Sequence, residues 1–221
     1  GGVLYVGTSS LLPGGGSMAY NFFSWNGSSW TTILGMSGTV WVITKSGAGL
    51  YAGGAMNSVG SAAAKKNIAK WDGINWSALG KAGVGGPVNA IAVSGSNVYV
   101  GGIFTSAGGV AANYVANWDG NSWSGLGATL NSAVNALAIS GSNLYVGGVF
   151  FTPFNRVAKW NGSSWTQLGA GMNNEVRSLV AISNDVYAGG FFTTAGGSPA
   201  YGIARWTGSE WLPVGGGVGG S

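Results

Sequence analysis

Val88 to Gly102 reads VNAIAVSGSNVYVGG, and Val134 to Gly148 reads VNALAISGSNLYVGG. Two near-identical fifteen-residue stretches in one chain mark an internal repeat, and a repeat decides the fold before any single element does. Each stretch alternates apolar and small residues on both sides of an SGSN link. That pattern predicts two short antiparallel strands joined by a tight hairpin. A looser copy, VRSLVAISNDVYAGG, runs from Val176 to Gly190, and a still looser one from Thr39 to Gly54.

Tryptophan pairs recur with the spacing W-x-G-x-x-W. They are Trp25/Trp30, Trp71/Trp76, Trp118/Trp123, Trp160/Trp165 and Trp206/Trp211, and their first members lie 46, 47, 42 and 46 residues apart. The links between partners, such as DGIN, DGNS, NGSS and TGSE, again read as hairpin turns. In the second copy the four expected strands are 88–93, 98–104, 114–118 and 123–127. No stretch shows helical periodicity. Four-stranded antiparallel units repeated every 42 to 47 residues predict a propeller rather than a solenoid, because no distinct caps flank them. The expected fold is all-β: a five-bladed β-propeller of four-stranded antiparallel blades in a single domain, 1–221. Its units are 36–80, 81–127, 128–169 and 170–214, with 215–221 plus 1–35 as the fifth.

That fifth blade is split between the termini. Gly1 to Gly7 matches Gly95 to Gly101, and Gly215 to Ser221 matches the loop 80–86. The segment equivalent to Pro87–Ser94 has no counterpart, so the fifth blade lacks its innermost strand in this chain. It is expected to lie in further sequence, to come from a neighbouring subunit by self-assembly, or to leave the blade with three strands. Starting at Gly1, the chain reads as a processed or excised piece.

The repeat also resembles a known family. The residues that carry it are VYVGGIFTSAGGVAAN (98–113), NIAKWDGINWSALG (67–80), YAGGFFTTAGG (187–197) and IARWTG (203–208). They are similar to secreted and surface propeller repeats related to the fungal cortical cell-polarity marker family, and more distantly to kelch and galactose-oxidase-like propellers. The resemblance implies an extracellular or cell-surface propeller with no defined chemistry. The Trp-Asp dipeptides at 71–72 and 118–119 are only superficially like the intracellular WD repeat.

Composition narrows the function. The 221 residues carry 46% hydrophobic and only 6% charged side chains, with eleven Trp, eight Tyr and eight Phe. So much apolar surface excludes a disordered chain. The net charge of +4 is too scattered for a nucleic-acid footprint. No apolar run approaches the length of a membrane span. There is no Cys and no His, so thiolate chemistry, imidazole bases and the usual metal ligands are excluded. Neither a cofactor nor a metal is expected.

Five acids remain. Asp72 and Asp119 occupy the position held by Asn26, Asn161 and Thr207 in the other units, which marks a turn residue bonding its own backbone. Glu210 sits in the same turn type and Asp185 in the link between first and second strands. Only Glu175 falls on the loop-rich face. A glycosidase needs two facing carboxylates, so no enzyme activity is expected.

Loops joining strands two and three, and those crossing to the next blade, are long and variable, and should share one face. Candidate ligand-binding residues there are Tyr20, Asn57, Asn113, Tyr114, Asn131, Phe154, Asn173, Asn174, Glu175, Arg177 and Tyr201. The Trp pairs are expected to fill the gaps between blades. Lys70, Lys159 and Arg205, each preceding a pair, are expected to lie over the next blade's Trp. The function expected first is a scaffold or adhesion module contacting proteins at a cell surface. The second is a multivalent lectin binding glycans between blades. The third is an engineered or reconstructed propeller with no natural ligand.

Overall fold

Each hairpin expected from the alternation forms, and the hairpins join into sheets. A computed structural model describes residues 2–7, 22–47, 49–59, 66–127 and 130–218. Four sheets have four antiparallel strands in sequence order from inner to outer. The first contains Met36–Ser46, Gly49–Val59, Ile68–Trp71 and Trp76–Ser77. The second contains Val88–Ser94, Asn97–Gly102, Val115–Trp118 and Trp123–Gly125. The third contains Val134–Ser140, Asn143–Gly148, Val157–Trp160 and Trp165–Gln167, and the fourth Val176–Ile182, Asp185–Gly190, Ile203–Trp206 and Trp211–Pro213. An N-terminal sheet has three strands, Leu4–Gly7, Phe22–Trp25 and Trp30–Thr32, with Leu4–Gly7 on its edge.

The expected second-sheet strands shorten at their loop ends. Phe104 and Tyr114 leave the ladder, because Tyr114 takes a positive φ of 65°. The first sheet departs in the other direction. Met36–Gly38 and Met56–Val59, expected as loop, extend its first hairpin: Met36 pairs Val59, and Ser37 pairs Ser58 with hydroxyls 2.8 Å apart. Burial of Met56 and Val59 favours this extension.

Inner strands pack in series from the N-terminal sheet through the fourth. Four apolar clusters fill the four spaces between successive sheets. One contact recurs at each space. The inner-strand valine of one sheet (Val40, Val88, Val134, Val176) sits on a second-strand glycine of the sheet before it (Gly7, Gly53, Gly101, Gly147). A methyl group on any of these glycines would run into that valine's Cγ1. The glycines are there because the valine takes the volume a side chain would need.

The tryptophans of each pair stand directly opposite across their hairpin. Their ring centroids are 5.1 to 5.6 Å apart. The second ring of a pair also ties its sheet to the one before. Trp123 Nε1 donates to Leu79 O at 2.9 Å, Trp165 to Leu126 O at 2.8 Å, and Trp211 to Leu168 O at 2.9 Å. The basic residues do not cover the next sheet's tryptophan as expected. Strand pairing places each opposite an aromatic of its own sheet, Lys70 opposite Tyr51 and Arg205 opposite Tyr187. Lys70 Nζ lies 5.8 Å from the Tyr51 ring, and Arg205 turns to Asp185 at 3.4 Å.

Candidate functional site

The loops between strands two and three, and the crossing loops, interlock on one face. Gly85 N donates to Ser106 O, Gly108 N to Gly83 O, and Val84 N to Lys66 O. Met172 N donates to Asn155 O and Gly196 N to Gly171 O one step further round. These two crossing loops are thus held by the sheet each leaves and by the sheet each enters.

Several candidate residues carry this interlock. Asn131 Oδ1 accepts from Phe151 N and Thr152 N at 2.9 and 3.2 Å. Asn173 Oδ1 accepts from Thr193 N and Thr194 N at 2.9 and 3.0 Å, and its amide donates to the Thr193 hydroxyl. Asn174 donates to Phe191 O and accepts from Glu175 N. Phe154 packs in the layer between the second and third sheets, against Trp165. Tyr114 packs there too, at the position that takes a positive φ before the third strand of each of the four full sheets. Asn67, Arg156 and Gly202 are its counterparts. Asn57, Asn113 and Tyr201 are exposed. Tyr20 lies outside the described residues.

Asn67 was not singled out from sequence. It is buried, accepting from Met56 N at 3.0 Å and donating to Val84 O at 2.8 Å. Only its place before the third strand could have signalled it.

Glu175 and Arg177 do come together, at 3.0 Å, and they belong to a longer row. Every inner strand bulges after its valine. The bulged residues are Trp41, Asn89, Asn135 and Arg177. Asn89 donates to Val134 O and to the Asn135 side chain, and Asn135 donates to Glu175 Oε1 at 2.7 Å and to Val176 O. The row ends at Arg177, whose guanidinium stacks on the Phe191 ring 4.9 Å away. Asn89 and Asn135 were missed because a bulge does not interrupt the residue alternation visible in sequence.

Around this row the loop face shows apolar side chains to solvent. Ile103, Phe151, Phe191 and Tyr201 are all exposed, Phe191 to 62%. A second Arg–Phe stack, Arg156 on Phe151 at 5.7 Å, lies beside a cleft of about 320 Å³ that includes Asn155, Met172 and Asn173.

On the opposite, short-hairpin side, two notches open between successive sheets. One, of about 510 Å³, is lined by Ser46, Tyr51, Lys70, Ser96 and Trp118. The other, of about 320 Å³, sits one sheet earlier and is lined by Tyr5, Lys45 and Trp71.

The acids stay apart in distinct roles. Asp72 accepts from Ile74 N and Asn75 N at 2.8 and 2.7 Å, and Asp119 likewise from Asn121 N and Ser122 N. These backbone donors hold both carboxyls below the usual aspartate range. Among the described residues, no group of three or more His, Cys, Asp or Glu comes together that could hold a metal. No described helix is long and apolar enough to cross a membrane.

No protein-family model and no curated protein matches the chain. Solved structures do. The nidogen/laminin complex matches with a TM-score of 0.59 at 13% identity, over 88% of this chain and 71% of that one. The computationally designed Ika8 protein gives 0.54 at 18% identity, over 85% of this chain and 53% of that one, so the chain spans about half of Ika8. The extracellular domain of the one-component system BT4673 from B. thetaiotaomicron gives 0.57 at 13% identity, over 92% and 26%. These neighbours are propellers and propeller-like domains, and the fold of this chain is of the propeller type.

Proposed function

We propose that the chain is a non-enzymatic, extracellular binding propeller that uses its loop face to hold other proteins. Five tryptophan hairpins count its blades as five. The observation that carries the reading is the exposed set Ile103, Phe151, Phe191 and Tyr201, with arginines stacked on two of the rings. Exposed apolar side chains set among polar residues mark protein-binding surfaces. Aromatic and Arg side chains dominate the energetics of such surfaces. The interlocked loops hold these side chains without the ordering cost that mobile loops would bring on binding. The extracellular placement is supported by the repeat resemblance and by the extracellular neighbours.

The test is a panel of immobilised extracellular proteins probed with the wild-type chain and with F151S/F191S. The expected result is binding that the double variant loses while it stays folded. Protein binding that survives the double variant would sink the loop-face reading.

One observation favours a second reading, a glycan-binding propeller. The notches at Trp71 and Trp118 each set a tryptophan and a tyrosine beside a lysine. Weak sugar sites gain from such repetition on one rigid body. Glycan-array binding lost in Trp118→Ala and kept in F151S/F191S would favour this reading.

A further inference from the structure

Charge divides unevenly between the two ends of the sheets. Among the described residues, the short-hairpin end carries Lys45, Lys70, Lys159 and Arg205 together with Asp72, Asp119, Asp185 and Glu210, four cations against four carboxylates. The loop end carries Lys66, Lys81, Arg156 and Arg177 against one carboxylate, Glu175. The residues outside the described set add a single charge, that of Lys65, and it is positive. The short-hairpin end is therefore neutral, and the excess of positive charge belongs to the loop end.

The one carboxylate of the loop end is already engaged. Glu175 accepts from Asn135 at 2.7 Å and pairs with Arg177 at 3.0 Å. Lys66, Lys81 and Arg156 have no carboxylate within ion-pair distance among the described residues. Lys66 and Lys81 are exposed, on two loops that the bond from Val84 N to Lys66 O ties together. Arg156 meets the Val149 carbonyl and the Phe151 ring, neither of which neutralises it. Apolar side chains stand among these cations. Ile103 and Phe191 hold the same place in their sheets, directly after the second strand, and both are exposed. Phe151 is exposed beside Arg156.

Resting on the protein-binding role proposed above, we infer that the loop face takes an acidic partner protein, one whose Asp and Glu side chains surround aromatic or aliphatic ones. The carboxylates meet Lys66, Lys81 and the two arginines, whose planar forks suit a carboxylate. The apolar side chains cover Ile103, Phe151 and Phe191. A surface of one sign steers an oppositely charged partner to itself and turns away a like-charged one. A sulfated polysaccharide would match the charge but would bring nothing to cover the exposed apolar side chains. A second copy of this chain does not fit either. Its short-hairpin end is neutral, and its loop end carries the same sign.

The probes are immobilised peptides rich in Glu, Phe and Leu. Matched sets replace Glu by Gln, Glu by Lys, or Phe and Leu by Ser, and heparin stands beside them. The 221-residue chain should associate with the Glu/Phe/Leu set about tenfold faster than with the Gln set, an advantage that shrinks as salt is raised. The Lys set and the Ser set should bind least. Lys66→Glu and Lys81→Glu should each slow association with the Glu set about threefold, and the double variant should lose the advantage. Lys159→Glu makes the same change of charge at the other end and should leave the advantage intact. Equal association with the Glu, Gln and Lys sets would overturn the proposal. So would equal slowing by Lys159→Glu, because net charge rather than this face would then be responsible. Heparin binding without binding of the Glu/Phe/Leu set would overturn it in favour of a sulfated glycan. Charge-blind binding that F151S/F191S abolishes would overturn the acidic partner while leaving the loop-face reading standing.

Discussion

Trp76 and Trp123 occupy the same place in successive sheets, yet only one of them is bonded through its indole nitrogen. Trp123 Nε1 donates to Leu79 O, whereas Trp76 Nε1 is buried without a partner. The segment ahead of Trp76 reads WTTILG where other units read WSALG or WSGLG, one residue longer, and the insertion displaces the acceptor. Trp123→Phe therefore loses a hydrogen bond and leaves a carbonyl short of a donor. Trp76→Phe removes an unsatisfied donor. In urea unfolding, Trp123→Phe should cost about 1 kcal/mol more than Trp76→Phe; the reverse order would contradict the bonding described. Asp72 gives a second test. Its folded-state pKa is lowered by the Asn75 and Ile74 amides, so its contribution is present above the unfolded value and lost as pH falls through the folded one. Asp72→Asn keeps the turn, as Asn26 and Asn161 do with the same amide bonds. Melting curves across acid pH should show a smaller loss of Tm for Asp72→Asn than for the parent. The turn roles of Asp72 and Asp119 were legible because Asn replaces them in sister units. The roles of Asn131 and Asn173 were not. Their backbone partners lie some twenty residues away in another loop, and no local pattern records such a tie.

At the scale of the element, the valine-on-glycine seat sets the spacing between sheets. Gly101→Ala and Gly147→Ala should each destabilise by about 1–3 kcal/mol, since the new methyl must displace a packed valine. Gly189→Ala should cost far less, because the Ser178 hydroxyl, the far end of a side chain, stands in its way rather than a packed valine. Denaturation midpoints of the three variants check this, and equal losses would mean Gly189 is covered after all. The strands themselves were readable from alternation and turn residues, and the opposed tryptophans from their spacing across a four-residue turn. The bulge after each inner valine was not, since an extra residue leaves the same letters in the same order. That hidden bulge aligns Trp41, Asn89, Asn135 and Arg177, and it kept the polar row out of the sequence reading. The cation expected over a neighbouring tryptophan instead faces its own sheet's tyrosine, because strand pairing outranks the reach of a long side chain.

The whole molecule is a stack of four complete sheets and one incomplete sheet, with its two end faces uncovered among the described residues. Repetition made the stack legible. The exposure of Leu4 and Trp30 was not legible in the repeat, because their counterparts carry the same or similar letters. The most direct measurement is hydroxyl-radical footprinting of the isolated chain, read residue by residue. Trp30, Leu4, Val180 and Ile182 should be modified rapidly, while Trp76, Trp123, Trp211 and Leu144 stay protected. Equal protection of Trp30 and Val180 with their buried counterparts would show that the chain closes its own ring, and would contradict the open stack described above.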